Sequence, residues 1–551
     1  MIKNKFKILI ICILPLFFGC KFFKNTNPNK PPKIAVVIVI DQFSYNYLPK
    51  LKKNLKYGLK FLIDNGIFYS NAYHPNAAPS TPVGHAAMST GTLPKDNGFA
   101  FSYWFNDEGE KIKLTEDNNP DASVFAKNGT YDYGMSAKNL MVDTISDQFI
   151  LNSKPNFQNK VFSLSFKHNA SIPTAGNLGK AIWFDVKTGY FTTSKAYFNQ
   201  VPKWLLDFNK KQELEKLKTT SWKLFYPKDS HYYNFYSTKN YSAAGHNFNL
   251  IDQPQKIDLK SNEPFNLYKK TPAANELLLN LTKHFINKNF SDSKDKRLLL
   301  WVSFSPLDKV GHYFGPDSLE AIDMIYHLDK QIEELINFFN KKFGKNKIVF
   351  TLTSDHGIAP IPEVMKNRGY KKSRRIFVEP IMEKLNNEIE KKYGISKLII
   401  GFKKLQFFLN NTKLNSLEKI KQEEIFDLIK IILKKQPGIK KVWTNKELDK
   451  AVFEPYQLEY FFKVQQYPGR SGQIFCQTEP YCVLTKYKTG TSHRSPYNYD
   501  THVPLIIYQK DRYEKKVVDQ KVWIPQLAPT LAKILDITKP SATTFDTLPE
   551  I

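Results

Sequence analysis

The chain has 551 residues, of which 42% are apolar and 14% aromatic. That excludes a disordered chain and leaves room for a large core, with two lobes plausible. The net charge is +28, but the excess is mostly Lys scattered along the chain without a dense basic block. It reads as a solvated surface that attracts anionic substrates or membrane faces, and no nucleic-acid partner is expected.

Met1 to Phe6 and Lys7 form a basic start, Ile8 to Phe18 is an apolar run too short for an ordinary membrane span, and Gly19-Cys20 closes it. The pattern resembles a bacterial lipoprotein signal over residues 1–19, with Cys20 as the lipidated first residue and the membrane as a partner through that anchor. Phe17 stands where such signals usually prefer Leu, so secretion without lipid stays open. Export to the periplasm or outer membrane is expected in either case. Removing residues 1–19 takes away three Lys and no acid, lowering the charge from +28 to +25. Residues 20–32 are polar and Pro-containing and read as a tether. Cys12 lies in the signal, which leaves Cys476 and Cys482. In an oxidising compartment these two are expected to form a disulfide closing a small loop, with two reduced buried thiols as the alternative.

Lys33 to Ile40 is a near-continuous β-branched run, read as a central parallel strand that ends in Asp41. Tyr45 to Asn65 has helical spacing of Leu48, Leu51, Leu55, Leu59 and Leu62, and Gly66 stands where that helix would stop. Asn76 to Gly98 is rich in small residues. Lys160 to Leu164 predicts a short strand followed by a polar loop through Gly176. Residues 200–270 lack periodicity and read as an excursion from the core. Arg297 to Phe304 predicts a strand leading to Asp308, Ser318 to Phe343 a long amphipathic helix, and Ile348 to Leu352 a buried strand leading to Asp355-His356. Residues 375–470 carry two Lys/Glu-rich helical patterns and read as a second insertion. Val503 to Tyr508 is a further strand and Ile524 to Ile537 a final helix. The fold class is α/β.

Asp41, Asp308 and Asp355 thus all stand at the ends of strands, where open α/β sheets bind ligands. His312 follows Asp308 by four residues, His356 adjoins Asp355, and the loop from Gly490 to His502 supplies His493 and His502. One Asp-His pair after a strand is open between a turn element and a metal site. Three acids, two with His partners, suggest a two-metal site that would clamp the attacking and leaving oxygens of a displacement. Ser80 and Thr81 stand at the start of a helix and are open between a nucleophile and a plain cap.

The ordered set Val39-Ile40-Asp41, Ser80-Thr81 through Thr90-Gly91, Asp308 with His312, Ser354-Asp355-His356-Gly357 and His493 resembles the alkaline phosphatase superfamily. It is most similar to the type I phosphodiesterase and nucleotide pyrophosphatase branch, and within that to bacterial phosphate-irrepressible alkaline phosphatases. The likeness spans most of residues 33–540. It implies a three-layer α/β sandwich over residues 33–551, with a mainly parallel central sheet and the two insertions as a cap. It implies two zinc ions, one held by Asp308, His312 and His493, the other by Asp41, Asp355 and His356. Thr81 would be the nucleophile touching the second zinc, with Ser80 one place off as runner-up. His493 matches the family ligand, and His502 would brace the loop. Sulfatases want Cys or Ser at the nucleophile and Arg four residues on, where Thr81 and His85 stand.

The likeness also implies three side chains that grip the phosphoryl oxygens. Ser102 stands where the family has Asn, Lys167 matches its Lys, and Asn169 replaces its Arg. Losing that Arg removes a bidentate clamp on a dianion, which predicts weaker monoesterase activity or a shift toward diesters. The expected function is an exported dinuclear zinc phosphatase that hydrolyses phosphate monoesters through a phospho-threonine. The alternatives are a phosphodiesterase of the same fold and a non-catalytic metal-binding surface lipoprotein.

Overall fold

The computed structural model describes residues 30–155, 157–212, 221–233, 265–290, 296–455 and 457–551. The expected signal, the Cys20 lipid site, most of the 20–32 tether and much of the 200–270 insertion lie outside the described residues.

Seven elements position the site: strand β1 Ile34–Ile40, helix α1 Thr81–Thr90, strand β2 Gln158–Ser165, strand β3 Lys296–Phe304, helix α2 Pro306–Phe314, strand β4 Ile348–Thr353 and strand β5 His502–Tyr508. They belong to a ten-stranded sheet in the order Tyr190–Thr192, Lys180–Asp185, β2, β3, β1, β4, β5, Ile67–Tyr73, Lys516–Val518, with Val522–Trp523 also on Ile67–Tyr73. From Lys180–Asp185 to β4 the neighbours are parallel, and β5 runs antiparallel to both of its neighbours.

β1 has a β-branched or apolar side chain at every position and is buried throughout. Its alternation divides the core into two layers. Ile34, Val36, Ile38 and Ile40 join Leu59, Leu62, Leu278, Ile322 and Ile325 on one face. Ala35, Val37 and Val39 join Met88, Phe149, Leu527 and Leu531 on the other. This is the expected three-layer sandwich with a mainly parallel sheet, and Pro31–Ile551 forms one compact unit.

Two local expectations are corrected. The single helix read over Tyr45 to Asn65 is two, Tyr47–Leu51 and Gly58–Asn65. The break is held by the buried Asp329 carboxylate, which accepts from the amides of Lys56, Tyr57, Leu59 and Lys60. The stretch read as a polar loop after β2 is a helix, His168–Ala175, with Pro173 inside it. The long helix Leu319–Phe343 runs as expected and is capped by Ser318.

In the second insertion both Lys/Glu-rich patterns are helices, Val378–Tyr393 and Lys419–Lys434. They pack on a four-stranded sheet in the order Ile399–Lys403, Gln406–Leu409, Ile474–Thr478, Ile439–Thr444. The expected Cys476–Cys482 disulfide is not formed, and both residues are free buried thiols. Cys476 sits inside the insertion's sheet opposite Val442, while the Cys482 thiol donates to the Lys372 carbonyl at 3.1 Å. Burial raises both thiols, so they act as small apolar core groups.

Candidate active site

The parallel register sets Ile40 beside Phe304 and Val39 beside Thr353, so β1, β3 and β4 end level. Asp41 leaves β1, Asp308 lies in the first turn of α2, and Asp355 follows β4 by two residues. All three carboxylates are buried. The structure brings them together with His312, His356, His493, Lys167 and Thr81.

Two donor groups face inward. In the first, His312 Nε2 lies 3.1 Å from Asp308 Oδ1 and 3.2 Å from His493 Nε2, and His493 Nε2 lies 3.6 Å from Asp308 Oδ1. His312 Nδ1 is 2.8 Å from the Thr491 carbonyl, and His493 Nδ1 is 2.8 Å from the Pro79 carbonyl. A carbonyl only accepts, so both Nδ1 atoms carry a proton, and in the neutral rings both Nε2 atoms are left to ligate a cation. A cation between the two Nε2 atoms would bind both and Asp308 Oδ1 at once. In the second group, His356 Nδ1 donates to the Gly357 carbonyl, leaving Nε2 at 3.5 Å from both Asp41 Oδ1 and Asp355 Oδ2. These three atoms are buried without a hydrogen-bond partner. Asp41, Asp308 and His356 also converge as a tight group, so Asp308 stands between the two sets. A tetrahedral ion with bonds of about 2.0 Å sets its ligand atoms about 3.3 Å apart. The spacings match that, and the oxygen and nitrogen donors suit a divalent cation.

Lys167 Nζ reaches Asp41 Oδ2 and Asp308 Oδ2, each at 2.6 Å, and Thr81 Oγ1 at 3.3 Å. Burial lowers this ammonium but the acids Asp308, Asp41 and Asp355 outweigh it, so it is held protonated. Burial, reinforced by Asp355, raises Asp41 well above the carboxylate range, and burial pushes Asp355 to about 7 against the pull of Lys167. Asp308 goes the other way: burial opposes ionisation, but Lys167, His312 and Lys309 hold it well below its usual value. Burial keeps His356 and His493 neutral, the form that ligates metal.

Thr81 opens α1. Ser80 before it is extended, makes no side-chain cap and leaves its own Oγ unpaired. The plain-cap reading therefore fails, and the helix amino end is open to an anion. Gly84 is required by packing: a Cβ there would stand 2.1 Å from the Asp355 carbonyl oxygen. His85 Nδ1 donates to the Thr81 carbonyl at 2.7 Å and lies 3.4 Å from Asp355 Oδ2. His502 is stacked between Tyr45 and Tyr73 with Nε2 on the Ser70 carbonyl, outside the cluster. Ser102 and Asn169 are half-buried. Asn169 accepts a long bond of 3.5 Å from Thr115 Oγ1, and neither side chain bonds to Thr81 or Lys167 among the described residues.

Two residues of this site carry no signal in the sequence reading. Gln42 adopts a left-handed backbone, φ 70°. That bend lets its amide donate to Asp355 Oδ1 at 3.1 Å and its side chain to Asp308 Oδ1 at 2.8 Å. Strain of this kind persists where the surroundings fix it. Lys404, also at positive φ, buries its ammonium on the His493 carbonyl at 2.7 Å and the Pro79 carbonyl at 3.3 Å. It ties the insertion to a metal-donor loop and to the segment before Thr81. A Gln that aligns two acids should tune metal affinity. Gln42→Ala is expected to weaken divalent-metal binding about 10- to 100-fold, read by competition with a chromogenic chelator. Unchanged affinity would show that the ligands align without it.

Residues 35–503 match the type I phosphodiesterase / nucleotide pyrophosphatase family. Alkaline phosphatase PafA of Elizabethkingia meningoseptica is 28% identical over 543 residues, 96% of each chain. A Myroides odoratus protein named as a calcium-transporting ATPase is 29% identical over 97% of each chain. Alkaline phosphatase PhoV of Synechococcus elongatus is 28% identical over 93% of this chain and 91% of its own. A crystal structure of wild-type alkaline phosphatase PafA superposes with a TM-score of 0.83 at 26% identity, covering 95% of this chain and 99% of the other. With most of its length matched, the chain belongs to the type I phosphodiesterase / nucleotide pyrophosphatase family.

Proposed function

We propose that this chain is a phosphatase that transfers the phosphoryl group of a monoester to Thr81 and then to water. The supporting observation is the Thr81 hydroxyl itself. It opens an uncapped helix, 3.3 Å from the Lys167 ammonium that also bonds Asp41 and Asp308. The relatives named alkaline phosphatases support the reaction class.

Two divalent ions, zinc for this donor set, would supply Lewis-acid stabilisation of the attacking and leaving oxygens when bound. Asp308, His312 and His493 would hold one, and Asp41, Asp355 and His356 the other. The remaining work falls to the chain. The open amides at the start of α1 bind non-bridging phosphoryl oxygens, helped by the helix dipole. Lys167 adds a fixed positive charge where the phosphoryl charge develops. Gln42 holds Asp308 and Asp355 in place, and His85 braces the first turn below Thr81. Thr81 Oγ gives its proton to solvent and attacks phosphorus as the ester oxygen departs on the far side and takes a proton from water to leave as the alcohol. A second water then attacks the phospho-threonine, releasing phosphate and returning a proton to Thr81 Oγ.

A second reading rests on Ser102 and Asn169. With no Arg clamp the site holds a dianion less tightly, which favours diesters relative to a phosphatase that has one. The ratio of kcat/KM for p-nitrophenyl phosphate to that for bis-p-nitrophenyl phosphate separates the two readings. Thr81→Ala is expected to lose turnover of both while still binding metal. Turnover within a few-fold of the parent would remove Thr81 as the nucleophile.

We further propose that the protein is exported and held at the membrane by a lipid on Cys20, on the strength of the Met1–Cys20 sequence pattern. Cys20→Ser is expected to shift the protein from the membrane fraction to the soluble fraction. Retention on membranes in that variant would overturn the anchor.

A further inference from the structure

Beside the first donor group the chain gathers basic side chains that form no ion pair among the described residues. Lys403 ends strand Ile399–Lys403 and precedes Lys404 in the following turn, whose Nζ donates to the His493 carbonyl at 2.7 Å. Lys403 Nζ lies 3.7 Å from the centre of the Tyr103 ring, and Lys111 Nζ lies 5.4 Å from the same ring. Arg494 follows His493 and spends its guanidinium on the Leu484 carbonyl and Ser492 Oγ. Burial raises the Tyr103 phenol, with Arg494 opposing and Tyr487 adding to it, so these side chains share one electrostatic neighbourhood. Among the described residues none of Lys111, Lys403, Lys404 and Arg494 makes an ion pair.

Lys404 joins this cluster to the loop that carries His493, and Arg494 is the next residue of that loop. The cluster therefore adjoins the donor group of Asp308, His312 and His493, where the ester oxygen departs if Thr81 attacks from the Asp41 and Asp355 side. Charge crowded into a partly desolvated wall attracts anions and is strengthened by low local dielectric. Burial, with Arg494 and Lys111, pushes the Lys403 ammonium down to about 7, a penalty that an anion at this place would relieve.

We propose that this wall is a leaving-group subsite selecting phosphate monoesters whose alcohol portion carries a second anionic group, a carboxylate or a phosphate. The proposal rests on the phosphatase reading of Thr81 and names the substrate class of that site. Lys403 and Lys111 would contact the second anion and Tyr103 would carry the body of the leaving group.

The test compares kcat/KM for phenyl phosphate, 3-carboxyphenyl phosphate and 1,3-phenylene bisphosphate in the full-length enzyme and in Lys403→Ala, Lys403→Arg and Lys111→Ala. The parent is expected to favour the doubly anionic substrates, and the preference should shrink with added salt. Lys403→Ala is expected to lower the ratio of anionic to plain substrate about 10-fold, the scale of one charge-assisted contact. Lys403→Arg should restore most of it. Because the readout is a ratio within each variant, partial loss of folded protein cancels, and Lys111→Ala on an exposed strand gives an independent reading. Loss of preference for only one doubly anionic substrate identifies whether carboxylate or phosphate is the preferred second anion, and supports the subsite. Ratios unchanged in both Ala variants overturn the subsite while leaving the phosphatase reading intact. No turnover of any of the three substrates by the parent overturns the phosphatase reading and the subsite with it.

Discussion

The structure depends on one electrostatic fact: three carboxylates, Asp41, Asp308 and Asp355, are buried together at the carboxyl edge of the sheet. Leaving such groups uncompensated costs several kcal/mol each. Within the chain Lys167 is the ammonium that bonds directly to Asp41 and Asp308. Lys167, with Lys309 at 3.6 Å from Asp308, does not balance three carboxylates. The buried atoms without partners, Asp41 Oδ1, Asp355 Oδ2 and His356 Nε2, mark where further positive charge belongs. The facing Nε2 atoms of His312 and His493 mark a second such place.

Much of the surrounding fold keeps those groups from relaxing apart. The backbone carbonyls of Thr491, Pro79 and Gly357 fix the tautomers of three imidazoles. Ser354 Oγ accepts from the Phe43 amide and donates to the His356 carbonyl, knotting the loop after β1 to the loop after β4. Asp500 accepts from the Arg494 amide and Ser495 Oγ, which holds the loop carrying His493. Gly84 lets α1 touch the Asp355 backbone, so the helix bearing Thr81 packs directly on the strand end bearing Asp355.

The sheet and the donors were legible in the sequence because each is written locally. β1, β3 and β4 are apolar runs that end in an acid, and a parallel sheet aligns such ends without further information. What escaped is what only tertiary contact decides. Gln42 and Lys404 have no spacing signature, since their roles come from positive-φ turns that a Gln or Lys does not announce. The helix at His168–Ala175 was hidden by Pro173 and small polar residues, yet packing on β2 and α1 sustains it. The break before Gly58–Asn65 is imposed by Asp329, about 270 positions away in the chain. The disulfide expectation failed because close spacing in sequence does not aim two sulfurs at each other: the Cys482 thiol is turned to Lys372 instead.

We propose that these carboxylates and imidazoles form two separate metal positions. Metal content per folded chain, measured by mass spectrometry in the parent and in His312→Ala and His356→Ala, tests it most directly. About two divalent ions are expected in the parent and about one in each variant, because each loses a ligand from a different group. A parent chain that binds none, or variants that both retain two, would contradict it.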